Sequence, residues 1–117
     1  MKETHVPSLL LMEGAAHAIY RQLLETLPKD AKILAVSGPG NNGADAIAVA
    51  RLFLLGGGEA DVLLIGDPIH TSIENQQQQA IFEGYGGVVT TDPGTVDFNQ
   101  YDAIIEGAVW DWVEPSY

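Results

Sequence analysis

Two hydrophobic rhythms alternate along this chain, one with the period of a helix and one with that of a buried strand. Met12, Ala16, Ile19, Leu23 and Leu27 recur at steps of four, three, four and four. They form one stripe of a helix that Ser8 can cap and that Pro28 ends. Glu13, His17, Arg21 and Glu25 fall off that stripe, where solvent suits them. Next comes Ala31-Lys32-Ile33-Leu34-Ala35-Val36, apolar on both faces as a central parallel strand is when both sides of its sheet are covered. Ile47 to Leu55 is a helical run closed by Gly56-Gly57-Gly58, and Ala60 to Gly66 is a second strand that Asp67-Pro68 turns into a loop. Thr71 or Ser72 caps a third helix through Gly84, which carries a short polar tract from Asn75 to Gln79 whose glutamines read as a wet face. Gly87 to Thr91 and Tyr101 to Ile105 complete the set of strands, the last ending at Glu106.

Strands alternating with helices of this length imply right-handed crossovers. The expected class is therefore α/β, a Rossmann-like three-layer αβα arrangement with a mainly parallel sheet of about four strands. With the first strand central, strands two and three on one side and four on the other, Asn42 and Glu106 face one crevice at the topological switch point.

Composition narrows the partners. The 117 residues, 46% of them hydrophobic, suit one small domain spanning 1–117 or part of a larger one, and the lack of cysteine excludes disulfides and thiolate metal sites. A net charge of −11 with only five Lys and Arg argues against nucleic acid. No apolar run is long enough to span a bilayer and the N-terminus has no leader pattern, so the expected address is cytoplasmic. His5, His17 and His70 make no metal-ligand spacing.

Chemistry concentrates in Ser37-Gly38-Pro39-Gly40-Asn41-Asn42-Gly43-Ala44-Asp45-Ala46, between the first strand and the second helix. A glycine-rich turn entering a helix presents backbone N–H groups and a positive dipole end to an anion. The stretch lacks the Lys-Ser/Thr of a phosphate-binding loop, and its amides and carboxylate suit ribose, amide groups or a hard monovalent cation. The plainer reading is a turn in which Asp45 caps the following helix. Arg51 snorkels or pairs with a carboxylate.

Gly38 to Ala46, with Ala50-Arg51-Leu52 downstream, resembles the G-x-G-N-N-G-G-D-G signature of the NAD(P)H-hydrate epimerase family, the YjeF N-terminal domain. Met12-Glu13 with Gly14-Ala15-Ala16 resembles its first-helix motif, and Tyr101-Asp102-Ala103-Ile104-Ile105-Glu106 its D-x-I-V-D strand. The resemblance implies a metabolite-repair isomerase that interconverts the R and S hydrates of NADH and NADPH (NADHX and NADPHX). It assigns substrate contacts to Asn41, Asn42, Gly43, Ala44 and Asp45, and a potassium ion to Asn42 and Glu106. Ala44 and Ala46 stand where the family has glycine, and Trp110 and Trp112 where it has a second glycine loop. The family's Asp-Ile-Pro-Ser-Gly segment has no counterpart here, so no catalytic residue is assigned. Two alternatives follow: a non-catalytic nucleotide- or protein-binding module of the same fold, and the front part of a bifunctional repair enzyme. An exposed fourth strand implies a second copy or a completing domain.

Overall fold

The computed structural model describes the backbone of residues 8–28, 30–38, 41–66, 71–106 and 109–112, and their side chains apart from those of 8–15, 41–42 and 109–112. Helix α1 spans Ser8–Thr26, strand β1 Lys32–Ser37, α2 Asn41–Leu55, β2 Glu59–Leu64, α3 Ile73–Gly84, β3 Val88–Thr90, β4 Ala103–Glu106 and β5 Val109–Trp112. Two 3-10 turns, Pro93–Thr95 and Phe98–Gln100, lie between β3 and β4.

The sheet order is β3-β2-β1-β4-β5. Strands β1 to β4 are parallel, with Ile33 opposite Ala60 and Ala103, and β5 returns antiparallel along β4. The central place of β1 follows from its sequence: Ile33, Leu34 and Ala35 are all buried, so neither face can meet water. The fifth strand was not expected. The fourth strand, expected to be exposed, is corrected to an inner strand: Val109–Trp112 covers its edge by pairing with it. The side chains of Trp110 and Trp112 lie outside the described residues.

The alternation of β1 divides the core. Ile33 and Ala35 face the larger cluster, which holds the stripe Ala16, Ile19, Leu23 and Leu27 from α1, most of α2, and Phe82 of α3. Among the described residues, all three α-helices therefore pack on one face of the sheet. Leu34 points the other way, into a small cluster with Leu63 and Tyr101 against which Val36, Val96 and Ile104 pack. The 3-10 segment thus forms the layer on the second face. It is held by Asx turns, in which Asp92 accepts from Gly94 N (2.9 Å) and Asp97 from Asn99 N (3.0 Å).

Candidate functional site

Helix α2 begins at Asn41, six residues before its apolar run, so the Asn-Asn-Gly-Ala sequence is a first helical turn. Two consequences follow. Asp45 lies inside the helix and does not cap it. Among the described residues, the first-turn N–H groups without an intrahelical acceptor belong to Asn41, Asn42 and Gly43. No non-glycine residue described has positive φ, and Ala44 and Ala46 are fully buried within the helix. Alanine at these two positions favours the helix over glycine by up to about 1 kcal/mol each.

Gly43 is different. A β-carbon there would run into the carbonyl oxygen of Gly38 and the hydroxyl of Ser37, so only glycine lets the first turn of α2 press against the end of β1. That end is clamped from the other side by α3. Ser72 caps α3, accepting from Asn75 N at 3.1 Å, which sets Asn75 in the first turn facing the sheet. Asn75 is fully buried; its Nδ2 donates to Gly38 O (2.8 Å) and Ser37 Oγ (3.0 Å), and its Oδ1 accepts from Gln79 Nε2 (2.7 Å). Ser37 Oγ itself donates to Gly38 O at 2.8 Å. The wet face expected of Gln76 to Gln79 holds at Gln76 and Gln77, which are exposed, and is corrected at Gln78: like Asn75 it is a core residue, and it accepts from Arg51 Nε at 3.4 Å. Their sequence signal was faint. Asn75 lies three residues past Ser72 and Gln78 three past Asn75, a helical spacing on which two amides gave no reason to suspect burial.

Asp45 stands two residues beyond Gly43, about 200° further round the helix axis. It shares a face of the first turn with positions 41 and 42, on the far side from the clamp. It is half-buried, its Oδ1 is shielded and has no hydrogen-bond partner among the described residues, and burial pushes its pKa up to about 6. Glu106 ends β4 level with Val36, one residue short of the end of β1, and is exposed. The backbone thus brings Glu106 and the start of α2 to the carboxyl edge of the sheet; the side chains of Asn41 and Asn42 lie outside the described residues.

A cavity of about 400 Å³ opens at this edge, on the β2 and β3 flank of β1, lined by Ser37 and Gly38, Leu64 to Gly66, Thr71, Asn75 and Gln79, and Thr91 and Pro93. Neither Asp45 nor Glu106 lines it. Toward a potassium ion the described residues supply one exposed carboxylate, that of Glu106 at the end of β4, an oxygen donor of the kind a hard cation takes. No cluster of three or more His, Cys, Asp or Glu exists among the described residues.

Sequence and fold are both similar to those of known proteins. The family model described as YjeF-related protein N-terminus matches residues 8–108. An NAD(P)H-hydrate epimerase of Limosilactobacillus reuteri (strain ATCC 55730 / SD2112) is 44% identical over 88 residues, covering 74% of this chain and 42% of that protein. One from Weissella koreensis (strain KACC 15510) is 37% identical over 106 residues, covering 91% and 47%. The chain therefore spans less than half the length of these relatives. The crystal structure of the yeast protein YNL200c superposes with a TM-score of 0.74 at 18% identity, over all of this chain and 54% of that one, which establishes the fold.

Proposed function

The chain belongs to the YjeF-related N-terminal family, and on that premise we propose that it binds hydrated NADH or NADPH at the carboxyl edge of its sheet and serves NAD(P)H-hydrate epimerisation. The observation that carries the proposal is the set of helix N–H groups of Asn41, Asn42 and Gly43, which have no acceptor within the helix and are pressed close to β1 because position 43 is glycine. They offer the diphosphate a cradle without a cationic side chain.

On this reading Asn41, Asn42 and Asp45 hold ribose and amide groups, Gly43 contributes a backbone donor, and Ala44 closes the first turn behind it. Asn42 and Glu106 hold a potassium ion, whose charge offsets phosphate in a chain of net charge −11. Asp45 exchanges its proton near pH 6, so it accepts a hydrogen bond from a ligand hydroxyl at neutral pH and donates one in mild acid. Moving the proton at the hydroxyl-bearing carbon is not assigned to a residue of this chain.

The test is chiral separation of NADHX epimers after incubation with the purified chain, with and without potassium, for the natural sequence and for Glu106→Gln. Equilibration above the spontaneous rate, enhanced by potassium and insensitive to it in the variant, is the expected result. Stabilisation by NADHX without equilibration would make the chain a binding module of the same fold. Absence of both would refute the proposal.

A further inference from the structure

The cavity beside the Asn75 clamp has two kinds of wall. Leu64, Ile65 and Pro93 are apolar, while Thr71, Gln79 and Thr91 supply hydroxyl and amide groups. None of its described lining residues carries a charge or titrates near neutrality. These described groups can bind a ring and read its edge, and none of them moves a proton or neutralises a phosphate. Its volume of about 400 Å³ lies at the small end of ligand sites, enough for a nucleoside and not for a whole dinucleotide.

Position completes the case. Glu106 lies on the β4 flank of β1 and the cavity on the β2 and β3 flank, with the start of α2 between them. A dinucleotide laid over a switch point, its diphosphate at the helix start, places one nucleoside on each flank. Resting on the function proposed above, we infer that the cavity is the subsite of the adenosine half, which leaves the hydrated nicotinamide half on the flank with the carboxylate. The purine stacks between Leu64, Ile65 and Pro93. Gln79 reads its edge: because Nε2 donates to Asn75 Oδ1, the amide is fixed in one sense and Oε1 accepts from the exocyclic amine. Thr71 and Thr91 satisfy ring nitrogens.

Titrating the isotope-labelled full chain with AMP, and separately with nicotinamide mononucleotide, tests the assignment by NMR. AMP is expected to shift the Thr71 and Thr91 amides and the Gln79 side chain, and nicotinamide mononucleotide the residues of β4 near Glu106. Thr91→Trp, which fills the cavity, is expected to raise the AMP dissociation constant at least about tenfold and to leave that of nicotinamide mononucleotide unchanged. AMP shifts centred on β4, no AMP shifts at millimolar concentration, or an unchanged dissociation constant in a folded variant would overturn the assignment. If that variant does not fold, the shift map of the natural chain decides. A chain that seats AMP in the cavity but does not equilibrate NADHX refutes the epimerase reading alone. The opposite pair of results refutes the cavity assignment alone.

Discussion

The two ends of the central strand use polar residues in opposite ways. At its amino end every polar side chain in the cluster is matched. Asp61 accepts from Tyr101 Oη at 2.8 Å and pairs with Lys32 Nζ at 3.7 Å, while Asp102 accepts from Lys32 N at 2.8 Å. The Lys32 ammonium lies 5.1 Å from the centre of the Tyr101 ring, a cation–π contact. Burial first, then the bond to Asp61, pushes the Tyr101 hydroxyl up to about 12, so it stays a neutral donor. At the carboxyl end, an inner shell of amides is satisfied around Gly38, but Asp45 Oδ1 lacks a partner and Glu106 is solvated. The first cluster closes the sheet and joins β1 to the segment that covers its second face. The second is held rigid from behind and left open in front, as a site that must exchange its hydrogen bonds with a ligand has to be.

The contrast is sharpened most by removing the clamp. Asn75→Ala removes a donor that the Gly38 carbonyl shares with Ser37 Oγ, takes the acceptor from Gln79 Nε2 and opens a void, and is expected to cost about 3 kcal/mol in chemical denaturation. Nucleotide affinity should fall more than in Phe82→Leu, a core change in the same helix that does not touch β1's end. Equal affinities in the two variants would show that Asn75 only stabilises.

Asp45→Asn is expected to act in the other direction. A raised carboxyl pKa means that the folded state favours the proton, so stability falls as pH rises from the ordinary value of 3.8 toward 6, and the penalty remains above that. The neutral isostere should therefore stabilise the fold at pH 8 by about 1 kcal/mol, after allowing for solvent screening of a half-exposed group, and leave it unchanged below about pH 3.5. Thermal melts at the two pH values check this. A variant less stable at pH 8 would place Asp45 in a matched cluster like that at the amino end.

The smallest effect is expected of Tyr101→Phe. Losing one partly exposed hydrogen bond should cost about 0.5–1 kcal/mol and leave AMP and NADHX binding unchanged. A binding defect there would erase the distinction between the two ends.

The spacing of apolar residues foretold the helix stripes and the central place of β1, because burying an apolar face depends mostly on period. It misplaced the start of α2, since Asn and Gly before an apolar run suit a turn as well as a first helical turn. The fifth strand escaped notice because a short segment of alternating aromatic residues becomes a strand only where a partner edge is free.

What the sequence determined by itself was the order of elements, the parallel sheet and the kinship carried by Gly38 to Ala46, all of which rest on local period and motif. Only the tertiary structure decided which polar residues are sealed and which are available. Asn75 and Gln76 belong to one polar tract, yet the first is buried against Gly38 and the second is exposed. A side chain's hydration depends on what packs opposite it, and for Asn75 that is a strand end 38 positions earlier in the chain.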